Sequence, residues 1–228
     1  MSQDDAHQQL EDALLGPGDL ASALDAIRRG ADGRAPFSDG SAPLTWAVSK
    51  SLGPAGSVGC VQAMLAAGAT VASEPWEQWG TSVHRAAEYG FVEALRLLLE
   101  ADGKIALGRF DELSRTPLIR AVVGGSITAA EMLIAAGADV NASDEPRIGN
   151  PAIRWATEEH NEEMVAVLLR AGADPTKPGW MQLSALDVAK GWKTSRKPEL
   201  VRIFELLDLV ARRPEARRSL GNPAAKRR

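Results

Sequence analysis

Apolar residues along this chain return at spacings of three and four in short bursts. Val92, Leu95 and Leu99 make one burst; Met164, Val165, Leu168 and Leu169 make another. That spacing lines one face of an α-helix and predicts a helix at each place. A shorter helix is predicted ahead of each. It opens at a small polar residue often followed by Pro, the chemistry of a helix N-cap with Pro in the first turn. It carries Ala at positions that need close packing: Ala47, Ala86, Ala87, Ala121 and Ala156. These first helices span about seven residues, below the ~12–15 at which an isolated helix is even marginal in water. They must be stabilised by their neighbours.

The bursts recur with a fixed phase. Four second helices end almost identically: AIRRGAD from Ala26, MLAAGAT from Met64, LIAAGAD from Leu133 and LLRAGAD from Leu168. Between the second and third of these, LLEADGK from Leu98 fills the expected place, with Asp102 where the others have glycine. The glycines Gly30, Gly68, Gly137 and Gly172 end their helices in the left-handed conformation that other residues resist. A second landmark marks the first helices: APLTWAV from Ala42, TSVHRAA from Thr81, TPLIRAV from Thr116, PAIRWAT from Pro151 and SALDVAK from Ser184. Two landmarks that hold one phase along the chain define a repeat array, in which each unit buries its apolar face on the next.

Thr-Pro-Leu, an Ala pair, a glycine turn, an apolar helix and Gly-Ala-Asp at a period near 33 resemble the ankyrin repeat. Thr116-Pro117-Leu118 and Gly137-Ala138-Asp139-Val140-Asn141 are close matches, and the likeness runs from about Leu10 to Ala211. The resemblance implies an all-α solenoid of about six helix-turn-helix repeats with short β-turn fingers, the outer two units acting as caps. It also implies that His84 bonds within and between repeats, and that the first helices line the inner wall of a curved groove. Two departures stand out. The second unit carries about five extra residues in SLGPAGSVG, read as a loop insertion. The last unit ends in PELVRIFELLDLVARR without Gly-Ala-Asp, as suits a cap.

Charge changes this picture only at the end of the chain. The net charge of −4 conceals a segment from Arg212 to Arg228 with seven basic residues and one acid, leaving −10 for the rest. A repeat domain over residues 1–211 and a disordered basic tail over 212–228 are expected. An acidic body argues against nucleic acid as its partner. The single cysteine, Cys60, excludes an internal disulfide and fits a reducing compartment. The N-terminal stretch lacks a secretion signal, and no apolar run is long enough to span a bilayer. A cytoplasmic monomer is expected, and the Ala-, Gly- and Arg-rich composition hints at a bacterial source.

Catalytic chemistry is hard to assemble. Cys60 reads as a small buried hydrophobe. His160 is ringed by Glu158, Glu159, Glu162 and Glu163, but it occupies a turn where other units have glycine. No Cys pair, HExxH or phosphate-binding glycine loop is present. Neither enzyme activity, nor a metal, nor a cofactor is expected.

Interface residues are better represented. Six Trp stand against four Phe and one Tyr. At the fifth place of the first-helix landmark stand Trp46, Arg85, Arg120, Trp155 and Val188. With Glu88, Tyr89 and Glu158 further along the first helices, and Trp76 and Trp79 on a finger, they form the candidate partner-binding set. Trp, Tyr and Arg dominate interface energies. The same residues could fill gaps between adjacent helices or pair across repeats, and Glu88 and Glu158 could neutralise the arginines. The expectation is a protein-binding module (adaptor, inhibitor or scaffold) taking a protein with an acidic segment. The alternatives are a nucleic-acid-associated protein using the tail, and a hydrolase or metal enzyme centred on His160.

Overall fold

The computed structural model describes residues 2–16, 18–75, 80–143 and 149–220, the side chains of 217–219 excepted. Trp76 and Trp79 therefore lie outside the described residues, as does the tail from 221 onward. Twelve α-helices among the described residues fall into six consecutive pairs. They are α1 (Gln3–Leu15) with α2 (Leu20–Arg28), α3 (Pro43–Ala47) with α4 (Gly53–Ala66), and α5 (Ser82–Tyr89) with α6 (Val92–Ala101). The series continues with α7 (Pro117–Val123) and α8 (Ile127–Ala135), α9 (Ala152–Glu158) and α10 (Glu162–Arg170), and α11 (Ala185–Ala189) and α12 (Pro198–Arg212). Among the described residues there is no strand, only an isolated bridge between Pro178 and Ser184.

The pairs stack in two rows. First helices touch first helices from α1 through α11, and second helices touch second helices from α2 through α12. Close approach in the first row rests on alanine: Ala47, Ala86, Ala87, Ala121, Ala156 and Ala189 are fully buried. Leu95, Leu98, Leu133, Met164 and Leu168 fill the space between the rows and are equally buried. Each helix alone would expose this apolar surface, so the array is the unit that folds.

The landmarks act as the pattern predicts. Residues 42, 81, 116, 151 and 184 are the N-cap residues of α3, α5, α7, α9 and α11. Thr116 Oγ1 accepts the amide of Ile119, and Ser184 and Asp187 form a reciprocal capping box. The four helix-ending glycines have φ between 89° and 103°. His84 accepts the amide of Thr81 at Nδ1 (3.0 Å), and its Nε2 donates to the Arg109 carbonyl (3.1 Å) in the finger that leads to the next unit.

The extra residues of the second unit are a correction. They do not form a loop. They lengthen the second helix, and α4 runs 14 residues from Gly53. Pro54 fits its first turn, and Gly56 and Ser57 are small enough to be buried, Gly56 facing Leu20 of α2. Ser57 Oγ receives the Ser49 amide (3.2 Å) and donates to the Ser49 carbonyl (3.3 Å), which ties the added turn to the end of α3.

Asp102, the residue that replaces a helix-ending glycine, has a φ of −139° and so needs no left-handed freedom. Its carboxylate accepts the amides of Val71 and Ala72 in the preceding finger, both at 3.0 Å. Arg34 and Asn141 make the corresponding unit-to-unit links elsewhere: Arg34 Nε donates to the Gly68 carbonyl (2.6 Å) and Asn141 Nδ2 to the Gly172 carbonyl (3.2 Å). At the far end a 3-10 turn over Pro214–Ser219 packs on α12 and α10, and Leu220 rests against the core.

Candidate functional site

The row of first helices presents its fifth positions at half-burial: Trp46, Arg85, Arg120, Trp155 and Val188 are each partly exposed. Trp46 lies against the core and its indole Nε1 donates to Ser41 Oγ (2.7 Å), which fixes the ring. The guanidinium of Arg85, one unit on, sits over that ring at 4.3 Å from its centroid. Arg85 Nε donates to the Val48 carbonyl (3.1 Å), and its Nη2 approaches the Tyr89 hydroxyl (3.4 Å). Lys50 lies over the Tyr89 ring at 4.9 Å. Two cations are thus held on two aromatic faces, and among the described residues neither has a carboxylate partner. Cations over aromatic faces gain ~0.5–1 kcal/mol where solvent reaches them.

Arg120 occupies the same repeat position with a different outcome. Its Nη1 meets Glu88 (3.1 Å), its Nη2 meets Glu112 (3.1 Å), and its Nε bonds Asp111. The Arg120 side chain is only 11% exposed and Asp111 is fully buried. Asp111 also accepts the amides of Leu113 (2.9 Å) and Arg115 (3.0 Å). All three nitrogens of the guanidinium are occupied within the protein, so Arg120 offers no open fork in this state. Glu88 is likewise committed to Arg120.

Trp155 packs on the core and carries Arg115 over its ring at 4.7 Å from the centroid. Glu158 does not reach either groove arginine. It accepts from Arg154 Nε (3.1 Å) and Nη2 (3.0 Å), and Arg154 is itself buried. Of the sequence-derived set, then, Trp46, Arg85 and Tyr89 come together, Glu88 and Arg120 form a separate closed network, and Trp155 and Glu158 have different arginine partners. Trp76 and Trp79 lie outside the described residues. Sequence reading missed Asp111, Arg115 and Arg154.

Two titratable groups are buried beside this row. Glu74 accepts from Thr45 Oγ1 (2.7 Å), the Ser82 amide (3.0 Å) and Ser82 Oγ (3.0 Å), linking the second unit to the third. Burial outweighs these donors and raises its carboxyl to about 7. Burial also pushes the His84 imidazole down to about 4, against the pull of Asp111. His160 takes a left-handed turn conformation (φ 54°), and its ring meets Trp192 edge-on at 5.0 Å. Among the described residues no group of three His, Cys, Asp or Glu could hold a metal.

The sequence model of the family "Ankyrin repeats (3 copies)" matches residues 55–144. With six stacked helix pairs and the Thr-Pro-Leu and Gly-Ala-Asp landmarks already in place, that match decides the family. The chain is an ankyrin repeat protein. Curated relatives include the NF-kappa-B p105 subunit of Gallus gallus, 34% identical over 136 residues (58% of this chain and 13% of that protein). Inversin of Mus musculus is 31% identical over 119 residues, 52% of this chain and 10% of that protein. The matched stretch thus spans about a tenth of these relatives' own length. Among solved structures, an ankyrin repeat domain from Acinetobacter baumannii AYE superposes with a TM-score of 0.70 at 23% identity, covering 92% of this chain and 98% of that one. The ankyrin repeat domain of Bcl-3, a member of the IkappaB protein family, gives 0.68 at 24% identity, with 88% and 84% covered. At this identity the structural likenesses show the fold. Within this ankyrin repeat protein, no helix among the described residues is long and apolar enough to cross a membrane.

Proposed function

We propose that this ankyrin repeat protein is a protein-binding module whose first-helix face takes a carboxylate-bearing segment of another protein at Trp46, Arg85, Tyr89 and Lys50. One observation carries the proposal: the Arg85 guanidinium is held over the Trp46 ring, partly exposed, with no carboxylate partner among the described residues. A guanidinium fixed in this way keeps nitrogens for an incoming carboxylate and has little rotamer freedom left to lose on binding. Three units beyond Trp46, Trp155 also carries a cation, Arg115 from the finger ahead of α7, and extends the face. Arg120, Glu88 and Asp111 between them act as the rigid support. The curated relatives place repeats of this type in larger proteins, in keeping with a binding role for this array.

The test is retention of partners from a lysate of the source organism on immobilised full-length chain, comparing wild type with Arg85→Ala and Arg85→Lys. The lysine keeps the charge but neither the planar stack nor the fork. A protein retained by wild type and weakened by roughly 1–3 kcal/mol in both variants supports the proposal, that being the scale of a charged hydrogen bond at an interface. Equal retention by all three chains, each shown to be folded, would overturn it.

A further inference from the structure

The loop that joins the fifth unit to the sixth presents Trp180, Met181 and Leu183 to solvent, at 51%, 67% and 41% exposure. The other exposed large apolar residues among those described, Ile105, Leu113 and Leu209, stand singly. Three such side chains within four residues are an apolar patch of the kind that marks a contact surface. The loop is also held firmly. Buried Arg154, on the first helix of the preceding unit, donates through Nη1 to the carbonyls of both Trp180 and Leu183, each at 2.7 Å. Asn150 Oδ1 accepts the Trp180 amide (2.8 Å), and the Gly179 amide donates to the Leu183 carbonyl (3.0 Å). Met181 and Gln182 are consecutive non-glycine residues in the left-handed region, with φ of 58° and 59°. Each such residue costs about 1–2 kcal/mol and persists only where the surroundings enforce it. An open recess of about 420 Å³ lies beside the tip, lined by Gly149, Lys177, Pro178, Gly179 and the tip itself.

Charge indicates the occupant. The five-residue helix α11 and the 3-10 turn Lys190–Trp192 after it, together about 14 Å of helix rise, separate this tip from the turn that carries Lys193, Arg196 and Lys197. All three are exposed, and none has a carboxylate partner among the described residues. We propose that this end of the array is a second docking site, taking a segment of another protein in which a large apolar residue is followed about four residues on by carboxylates, an extended span of ~13 Å. The apolar residue packs on the exposed faces of Trp180 and Met181 at the edge of the recess, and the carboxylates meet the three cations. A concave recess at the foot of the tip favours a peptide, which can follow its contour, over the flat face of a lipid surface. The inference rests on the loop and its brace, not on Arg85.

The test uses the full chain and fluorescein-labelled 12-residue peptides read by anisotropy. One peptide carries Phe-Leu followed at four residues by Glu-Asp-Glu; its controls carry Lys for the acids, or Ala for Phe-Leu. Only the first should bind. Trp180→Ser with Met181→Asn (asparagine accepts the left-handed conformation) and, separately, Lys193→Glu with Arg196→Glu and Lys197→Glu should each weaken it at least tenfold. Arg85→Ala should stay within twofold of wild type, and the urea midpoint of the loop variant should be unchanged. Equal binding of the lysine peptide, undiminished affinity in the loop variant, or no binding of the first peptide would each overturn the proposal. Self-association in sedimentation, or pelleting with phosphatidylserine vesicles, that the loop variant abolishes in the absence of peptide binding would reassign the patch and overturn it equally.

Discussion

Arg120→Met is the most informative single change in the first-helix row, because it separates a structural arginine from an available one. Methionine keeps much of the aliphatic length and removes the charge. Asp111 is then left fully buried with a negative charge and no cation against it, though the amides of Leu113 and Arg115 still donate to it. Unpairing a buried charge costs about 3–5 kcal/mol, and the two surviving donors place this case near 3. Glu88 and Glu112 are 32% and 40% exposed, and solvent compensates for most of what they lose. A loss of about 3 kcal/mol corresponds to a Tm lower by roughly 6–12 °C in a chain of this size.

Arg85→Met removes a stack worth about 0.5–1 kcal/mol and one bond to a carbonyl, about 1–2 kcal/mol together. The assay is urea unfolding followed by far-UV circular dichroism at neutral pH. A third variant, Arg120→Met with Asp111→Asn, keeps the acceptor for both amides and removes the stranded charge. It should recover at least half of the loss. If Arg120→Met costs less than Arg85→Met, or the double variant is no more stable than Arg120→Met, the network is not what holds this part of the array and the reasoning fails.

Three further outcomes are expected. Glu74 has a folded pKa of about 7, above its unfolded value, so its contribution to stability is present below pH 4.5 and is lost as pH rises toward 7. His84, at about 4 when folded, works in the opposite sense and costs stability as pH falls from 6.5 toward 4; Glu74→Gln should therefore steepen the gain in urea midpoint between pH 4.5 and 7, and an unchanged slope would count against the assignment. Cys60 is fully buried and its thiol is pushed up to about 12, so Ellman's reagent at pH 8 should leave the native chain untouched and react at once in denaturant; fast native labelling would show the helix α4 interface to be open. Asp102→Gly, which restores the residue that other units carry, should destabilise by about 1–2 kcal/mol as a lost cap does, with faster hydrogen exchange at the amides of Val71 and Ala72; unchanged exchange there would refute the capping role.

Legibility in the sequence followed periodicity. The N-caps at 42, 81, 116, 151 and 184 and the left-handed glycines recur because every unit solves the same local problem, so one unit's chemistry can be read from another's. The inserted residues of the second unit were misread for the opposite reason. Glycine and serine in SLGPAGSVG signal a loop by propensity, but tertiary burial overrides propensity, and only small residues let α4 start early against α2 and α3. The site shows the same division. Arg85 and Arg120 are identical in residue type and repeat position, and nothing in the repeat tells them apart. What separates them is the finger ahead of α7, where Asp111 and Glu112 come within reach of Arg120, whereas the finger before α5 places Glu74 on Thr45 and Ser82 and leaves Arg85 to Trp46. Fingers vary in length and composition from unit to unit, and their residues have no counterpart at a fixed period. The repeat therefore determines which side chains reach the first-helix face, and the aperiodic fingers determine which of those side chains keep hydrogen-bonding capacity for a partner.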